Sequence, residues 1–540
     1  MNNSLFGKMQ SVLMSQSDIK DICDTLKRGY YPLAVSGLSS IHKAQLALII
    51  STLSEESAPL LIITDDEAGA KRICDDINEM YAVSQNENET AAYIYPAKDI
   101  TLARVESVSK EYEYQRLCVL ARLIDSSCKI VCASAEAVMQ RTIPPDVLAD
   151  RTIKLSRDTS VQLPDLISRL IAAGYTRCDK VESPSQFSVR GSIADIFPVQ
   201  EKMPVRMELW DDEIDSFAYF DPETQRRTEQ IDELIIPPAG EVLFNSADAL
   251  VQKINALSAG VRGKRTELVR SNLAKDADNI SNGVSLANID KYLPLAYDKP
   301  ALIFDYLKPD SAVLFCEFHS CCEKAKAIQS QFNEDVKILL EEGELCRGLD
   351  GYIAEFESIS ETAVKFPCVL MDTFLRTNDI RCKKLWTMTA YQTAPWGGEI
   401  RQLSEDLRSF IDRNYSVIVL AGSEKTLPII AEDLRNDGIP CDIMTEETTL
   451  TKGRVLITTG CLSSGYDYPD IKTALITQAK AMSSKRKLKK KKKGEEIKSL
   501  ADIAPGDLVV HALHGIGRFE GIRKPVSYTH LRAHETGAYL

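Results

Sequence analysis

Short apolar runs alternate with helical patterns through the first part of the chain. LLIIT (Leu60–Thr64) and KIVCAS (129–134) have the length and composition of buried strands, while residues 103–124 repeat apolar positions at helical spacing. Strands that alternate with helices predict a mostly parallel sheet covered on both faces. We therefore predict that residues 1–150 begin an α/β domain.

The pattern changes from about residue 155. DLISRLIAAGY (165–175) predicts a helix that ends at Gly174, and FSVRGSIADIF (187–197), VRMELW (Val205–Trp210) and DDEIDSFAYF (211–220) read as strands separated by turns. We predict an inserted α+β domain over residues 151–240.

Alternation along these strands predicts which side chains share a face. The expected core faces are aliphatic and comprise Phe187, Val189 and Ile193 in one strand and Val205, Met207 and Leu209 in the next. Arg190 then lies opposite the first set, and Arg206, Glu208 and Trp210 lie opposite the second. Arginine beside an indole is typical of protein-binding hot spots. In the alternative, Trp210 packs under a neighbouring element and the arginines pair with local acids; the residues favour neither reading.

Two further α/β regions follow. Residues 241–385 combine the helical pattern ADALVQKINALSAGV (247–261) with the apolar runs ALIFDYL (301–307) and AVLFCEF (312–318), which we predict as strands completing the first sheet. Residues 386–482 are predicted to form a separate α/β domain. Its expected strands are SVIVLAG, RVLITTG and TALIT, and its expected helix has Pro428 in the first turn and ends at Gly438.

The last part of the chain has a basic run and a short strand pattern. KRKLKKKKK (485–493) predicts a solvated linker over 483–498, with a non-specific tether to nucleic acid as its second possible use. Residues 499–524 predict strands around a glycine turn, the beginning of a small β-barrel. His511 and His514 have no third ligand nearby, so we predict no metal site.

Composition narrows the classes of protein. A chain of 540 residues has room for roughly three or four domains, and 44% hydrophobic with 26% charged residues is ordinary globular composition. No apolar run approaches the roughly 18 residues that a membrane helix needs, and the first residues lack a signal-peptide pattern. We therefore predict a cytoplasmic protein without a membrane partner. Fourteen scattered cysteines predict neither zinc nor disulfides.

Net charge restricts contact with nucleic acid. The whole chain carries −13, and the basic run alone contributes +8, which leaves −21 for the remainder. Such a remainder would repel a phosphate backbone, so any DNA contact is expected at 485–493.

The stretch SGLSSIHKA (36–44) fits half of a phosphate-binding loop, G-x-x-x-x-G-K-[ST]. Gly37 and Lys43 match, but His42 stands at the second glycine and Ala44 at the hydroxyl that binds Mg²⁺. A Cβ at residue 42 crowds the phosphates, and alanine has no oxygen ligand. We predict a degenerate site that holds no cofactor; a chance match in a strand-turn-helix unit is the alternative.

Two long stretches carry a family resemblance. SQFSVRGSIADIFP (185–198), followed by residues 205–227, resembles the segment shared by the excision-repair subunit UvrB and the bacterial transcription-repair coupling factors. GDLVVHALHGIGRFEGI (506–522) resembles the start of the RNA-polymerase-interaction domain of the coupling factors. The order of segments over residues 1–524 is similar to the N-terminal half of that family.

The resemblance implies a fold and a function. The fold would be α/β: a UvrB-like, degenerate helicase-type parallel sheet with an inserted UvrA-binding α+β domain, a second α/β domain and the beginning of a small β-barrel. The chain would be an adaptor that recruits UvrA to stalled RNA polymerase in transcription-coupled nucleotide excision repair. It would not be an enzyme itself, because the family's translocase, with its ATP and Mg²⁺, lies further along. DNA would be bound mainly by that translocase and only weakly through 485–493.

The resemblance also implies site residues. The expected UvrA contacts are Arg177, Arg190, Phe197, Arg206 and Trp210. The expected contacts to the polymerase β subunit are His514, Gly515, Gly517, Arg518 and Phe519.

Residues 525–540 fit neither the family nor a strand pattern, and we expect a non-native tail. An incomplete barrel would then bind polymerase weakly, while a UvrA surface without its usual cover would bind constitutively. The alternatives are an ATP-dependent UvrB-type helicase subunit, a non-specific DNA-binding module and a polymerase-binding scaffold.

Overall fold

A computed structural model describes residues 5–478 except 54–57, 83–89, 106–107, 158, 245, 264, 285, 350, 378 and 446–447; beyond 478 it describes only the backbone of three strands. Its α-helices are α1 Leu5–Leu13, α2 Ser17–Lys27, α3 Ser40–Ser51, α4 Glu67–Ala82, α5 Glu111–Ile124, α6 Ala135–Met139, α7 Pro145–Arg151, α8 Leu163–Ala172, α9 Ala247–Gly260, α10 Thr266–Ser281, α11 Leu293–Ala296, α12 Phe318–Glu342, α13 Phe356–Ala363, α14 Ile400–Asp412 and α15 Leu427–Asn436. Short 3₁₀ turns lie at Ile289–Tyr292, Ile303–Tyr306 and Pro469–Ile471.

The strands follow the same chain order. They are β1 Leu33–Ser36, β2 Leu60–Thr64, β3 Ala92–Tyr95, β4 Ile130–Ser134, β5 Ile153–Ser156, β6 Thr176–Arg177, β7 Gln186–Arg190, β8 Ile193–Ile196, β9 Val205–Trp210, β10 Glu213–Phe220, β11 Arg227–Ile231, β12 Glu233–Ile236, β13 Ala312–Cys316, β14 Cys368–Asp372, β15 Lys384–Thr387, β16 Tyr391–Thr393, β17 Ser416–Leu420, β18 Cys441–Ile443, β19 Val455–Thr458, β20 Gly465–Tyr468, β21 Thr473–Thr477, β22 Leu508–His511, β23 Gly515–Phe519 and β24 Ala533–His534.

The first sheet is parallel and has the order β15-β1-β14-β13-β2-β4-β3. Its central strands are buried on both faces, so LLIIT and AVLFC read as continuous apolar runs rather than alternating ones. Ile63 and Phe315 belong to the core on one face, and Ile62 and Leu314 to the core on the other. The predicted parallel α/β sheet is therefore confirmed.

The inserted segment folds as a sheet of order β11-β10-β9-β8-β7-β6, antiparallel except between β6 and β7, beside the β12-β5 ribbon. Helix α8 contributes Leu166 and Leu170 to a core shared with Phe187 and Met207. Gly174 follows α8 with φ +87°, a left-handed conformation that favours glycine. The segment has its own apolar core.

A buried ionic cluster lies where the chain leaves this segment. Glu241 accepts hydrogen bonds from Arg116 Nε at 2.7 Å and Thr142 Oγ1 at 2.9 Å, and Lys98 Nζ lies 2.9 Å from its second oxygen. Lys98 also pairs with Asp290 at 2.9 Å. Burial opposes the charge on Glu241, but Arg116 and Lys98 outweigh it and lower its pKa to about 2. Side chains from three other chain segments thus meet at the Glu241 carboxylate.

The last described α/β region is a mixed sheet of order β16-β20-β21-β17-β19-β18. β17 is parallel to β19 and β21, whereas β20 runs antiparallel to its neighbours. The chain divides into a compact unit containing every sheet up to β21 and a second unit containing β22, β23 and β24. All sheets up to β21 lie in one compact unit, and this division therefore gives no boundary at 150, 240 or 385. The domain boundaries at those positions stay predictions.

Two local predictions were wrong. ALIFDYL forms the 3₁₀ turn Ile303–Tyr306 instead of a strand, because the Asp305 carboxylate accepts a hydrogen bond of 2.7 Å from the backbone N of Leu302 and holds the turn. The helix expected over 103–124 begins only at Glu111. No helix in the described part of the chain is both long and apolar enough to cross a membrane.

Candidate functional site

The stretch 36–44 forms the strand-turn-helix that the sequence predicts, with β1 leading into α3. Gly37 has φ +86°, and a Cβ placed on it would lie 2.1 Å from the carbonyl oxygen of Met388. That distance is far below contact, so the backbone itself requires glycine here. Gly37 is therefore explained without a bound phosphate.

The amides of the turn already have acceptors within the chain. Gly37 N donates to Thr373 O and Leu38 N to Asp372 O, both at 3.3 Å. Ser39 N donates to His42 Nδ1 at 3.3 Å. A phosphate-binding loop needs amides that point at the ligand. Here three successive amides are bonded to protein atoms.

His42 lies in the first turn of α3 and is fully buried. Its Nδ1 is 2.8 Å from the hydroxyl of Ser39, and the ring packs edge-on against Tyr468, with centroids 5.0 Å apart. Burial, and then the charge of Lys43, lower the pKa of His42 to about 4. The imidazole is therefore neutral near pH 7 and occupies the position of the second loop glycine.

Lys43 is paired inside the protein. Its Nζ donates to the carboxylate of Glu317, the residue that directly follows β13, and lies 3.4 Å from Thr373 Oγ1. Glu317 also accepts a hydrogen bond of 2.9 Å from Thr373 N. Burial alone would raise the pKa of Glu317, but the hydrogen bonds from Lys43 and Thr373 outweigh it and lower that pKa. The charge of Lys43 is thus balanced by a protein carboxylate.

Two acidic residues at this edge were not predicted from the sequence. Asp372 ends β14 beside Ser36 of β1, and its Oδ1 accepts a hydrogen bond of 3.2 Å from Phe318 N. Glu317 and Asp372 each stand at the carboxyl end of a buried apolar run, which is the signal that could have located them. Ala44 is buried and has no oxygen to complete a Mg²⁺ site with them.

The mixed sheet and its connecting loop pack against α3 and α4. Tyr468 donates a hydrogen bond of 2.7 Å to Gln45 Oε1. Ser463 donates through its N and Oγ to the Asp76 carboxylate at 2.7 and 2.6 Å. Apolar residues of both sheets share one core. The mixed sheet therefore packs against the helix that follows the turn at 37–39.

The inserted sheet carries the second group of predicted residues. Cross-strand register pairs Asp195 with Arg206, and Arg190 with Ile193. Paired residues share a face, so Ile193 lies on the Arg190 face, and its predicted place beside Phe187 was wrong. The hairpin between β7 and β8 reverses the parity, and Ala194 and Ile196 take the core side instead.

The exposed face combines two arginines and an indole. Arg206 forms a two-pronged pair with Asp195, at 2.7 and 2.8 Å. The Arg190 side chain is 61% exposed. Trp210, at the end of β9, is 80% exposed. The alternative that Trp210 packs under a neighbouring element was wrong. Its other part, that the arginines pair with local acids, holds for Arg206, and Arg190 Nη2 also lies 3.8 Å from Asp195 Oδ2.

The other two predicted contacts lie apart from this face. Arg177 on β6 stands in register with Phe187, so its exposed side chain leaves the sheet on the opposite side from Arg190. Phe197 directly follows β8 and is 6% exposed. The structure therefore brings together Arg190, Arg206 and Trp210 only.

The predicted polymerase contacts fall mostly outside the described side chains. Gly515, Gly517, Arg518 and Phe519 lie on β23, which pairs antiparallel with β22, and only the backbone is described there. His514, the basic run 485–493 and most of the tail 525–540 lie outside the described residues.

Comparison with known proteins identifies two domains. The UvrB interaction domain family matches residues 153–241, the segment that carries the exposed face. The CarD-like/TRCF RID domain family matches residues 503–538, which include most of the expected non-native tail.

Curated relatives are similar over nearly the whole chain. The transcription-repair-coupling factor of Bacillus subtilis is 27% identical over 526 residues, covering 95% of this chain and 44% of the relative. The protein of the same name from Staphylococcus haemolyticus is 23% identical over 509 residues, covering 92% and 42%. The chain thus spans less than half the length of these relatives. The resemblance stated from the sequence is confirmed.

Proposed function

We propose that this chain is the recruiting part of a transcription-repair coupling factor and docks UvrA, the damage-sensing ATPase, through the outer face of the inserted sheet. The observation that carries the proposal is the exposure of Trp210 and Arg190 together on one face of the segment that matches the UvrB interaction domain. The whole-chain similarity to coupling factors supports the wider role in transcription-coupled repair.

Physical chemistry supports a docking role for these two side chains. An indole buries about 200 Å² on association, which is worth ~5 kcal/mol before the cost of ordering is subtracted. The largely exposed guanidinium of Arg190, on the same face, can form a two-pronged pair with a partner carboxylate. Tryptophan and arginine are also the residue types that most often dominate binding energy.

Binding of purified UvrA to the full chain tests the proposal. Trp210→Ala and Arg190→Ala are each expected to weaken binding at least about tenfold. The matched control is Tyr391→Ala, since Tyr391 is also largely exposed but lies on the mixed sheet. Absence of binding by the folded wild-type chain, or equal binding by all three variants, would overturn the proposal.

We also propose that residues 36–44 neither bind nor hydrolyse ATP in this chain. The bonded turn amides and the Lys43 pair with Glu317 support this. Equilibrium dialysis with labelled ATP and Mg²⁺ is expected to find no saturable binding. Saturable binding that is lost in Lys43→Ala would instead favour the ATP-dependent UvrB-type subunit.

A polymerase contact through β23 is the second candidate function, favoured by the match to the CarD-like/TRCF RID domain. The expected result is co-purification with the RNA polymerase β subunit that is weakened by Phe519→Ala. Retention of the β subunit by the variant at wild-type level would exclude β23 as the contact.

A further inference from the structure

Asp195 stands at the centre of the proposed docking face. Its side chain on β8 is only 4% exposed. Both carboxylate oxygens accept hydrogen bonds from one partner: Oδ1 accepts from Arg206 Nε at 2.7 Å and Oδ2 from Arg206 Nη2 at 2.8 Å. This two-pronged geometry fixes the plane of the guanidinium as well as its position.

Arg206 is also held from other directions. Its guanidinium lies over the ring of Phe220, with 4.5 Å from Cζ to the ring centroid, and its Nη2 donates to Gln225 Oε1 at 3.0 Å. Gln225 is itself fixed, since its Nε2 donates to Pro222 O at 2.8 Å. Arg206 is therefore part of the scaffold of the face.

Arg190 is in a different position. Its Nη2 lies 3.8 Å from Asp195 Oδ2, which is an ion-pair distance but too long for a hydrogen bond, and its side chain is largely exposed. The oxygens of Asp195 already serve Arg206, so Arg190 keeps its donors for another acceptor. One carboxylate faces two guanidinium groups, and one positive charge is left over at Arg190.

We infer, on the basis of the proposed function, that Asp195 is a positioning residue: it locks Arg206 against Phe220 and thereby leaves Arg190 as the cation offered to a partner carboxylate. The matching surface on UvrA would present an acidic side chain next to an apolar pocket for Trp210. Arg206 would lie next to the contact between Arg190 and the acidic side chain.

Replacing Asp195 by asparagine separates this inference from a simple charge effect. Removal of a negative charge from a basic face should strengthen binding to an acidic partner if only long-range electrostatics mattered. Loss of the Asp195 contacts that hold Arg206 should instead weaken UvrA binding. We expect Asp195→Asn to bind UvrA roughly tenfold more weakly. The control is Asp215→Asn, which removes the same charge at an exposed position on β10. This variant should bind UvrA as well as wild type or slightly better.

A double-mutant cycle measures the coupling between Asp195 and Arg206 in UvrA affinity, a quantity that a general loss of stability would not change. Arg206→Lys keeps the charge but loses the two-pronged geometry, and roughly tenfold weaker binding is expected. Because both changes break the same pair, Asp195→Asn combined with Arg206→Lys should be little worse than either alone. Circular dichroism and urea midpoints confirm folding. Wild-type affinity in Asp195→Asn, or full additivity in the cycle, would overturn the inference while leaving UvrA docking intact.

A measurement without the partner keeps the two proposals distinguishable. The Nε–H of Arg206 is expected to exchange slowly in the wild-type chain and quickly in Asp195→Asn, as followed by nitrogen-15 NMR of arginine side chains. Equal exchange in both proteins would show that Asp195 does not hold Arg206. If the wild-type chain fails to bind UvrA, the proposed function and the binding part of this inference fall together.

Discussion

Lys43 and Glu317 are 274 residues apart in the chain and form an ion pair at the carboxyl edge of the parallel sheet. The lysine stands where a phosphate loop would use its amine on a nucleotide, and the carboxylate takes the place of the phosphate charge. Thr373 completes the arrangement by donating its backbone N–H to the same Glu317 oxygen. Groups of the chain itself thus occupy the hydrogen-bonding and charge partners of Lys43.

Breaking this pair should destabilise the protein. Glu317→Ala leaves the buried amine of Lys43 without its counter-charge, and we expect a loss of about 2 to 4 kcal/mol in the free energy of unfolding. The partial exposure of Glu317, 28% of its side chain, keeps the expected loss below that of a fully buried pair. Urea unfolding measures it.

Two controls accompany that measurement. Asp442→Ala removes the exposed pair with Arg454 and should cost less than about 1 kcal/mol. The combined change Lys43→Met with Glu317→Leu should cost less than Glu317→Ala, since no charge is left unpaired. Equal losses in all three proteins would contradict a closed ion pair.

Gly37 should resist substitution for a reason unrelated to nucleotide. Gly37→Ala puts a Cβ 2.1 Å from Met388 O at a positive φ, and we expect a loss of about 3 kcal/mol or more in stability. Gly191 has a similar φ of +62° but open space around it, so Gly191→Ala should cost only about 1 kcal/mol. Thermal unfolding of the two variants makes the comparison, and a smaller loss for Gly37→Ala would contradict the close approach.

Stability should fall in mild acid because of His42. Its pKa is about 4 in the folded chain against an ordinary 6.5, so below about 6.5 the unfolded chain binds the extra proton and the folded chain does not. The contribution is complete above that value and is lost as the pH falls towards 4. We expect a loss of about 2 kcal/mol between about pH 7.5 and about pH 5.

Urea unfolding at those two pH values checks the effect of His42. His42→Gln should remove most of the difference between them, whereas His319→Gln, at an exposed position, should leave it unchanged. A pH difference that persists in His42→Gln would assign the acid sensitivity to other groups.

Glu241 should be the most sensitive position at the exit of the inserted segment. Glu241→Gln leaves Arg116 and Lys98 buried with less counter-charge, and we expect a loss of about 3 to 5 kcal/mol. Glu233→Gln on β12 is the matched control, since Glu233 is exposed and should change stability by less than about 0.5 kcal/mol. Denaturant unfolding compares them, and a small effect at Glu241 would contradict a structural role for the cluster.

Some errors of sequence reading trace to interactions that periodicity does not report. ALIFDYL has the composition of a buried strand, but Asp305 bonds the backbone of Leu302 and turns the chain. Alternation counted straight through the hairpin predicts Ile193 on the core face. The turn at Gly191 reverses the face of odd-numbered positions, so Ile193 lies on the Arg190 face.

The sequence alone indicated the buried strands of the parallel sheet and the departures from the phosphate-loop pattern at 42 and 44. Buried strands such as LLIIT are recognisable because their side-chain pattern reflects their immediate neighbours. A histidine at 42 carries a Cβ where the loop needs none, and an alanine at 44 lacks the hydroxyl oxygen, in any fold. Only the tertiary structure decided that Lys43 meets Glu317, that Asp195 holds Arg206 and leaves Arg190 largely exposed, and that Trp210 faces solvent. These relationships depend on sheet order and cross-strand register, which join residues distant in the chain and leave no periodic trace in it.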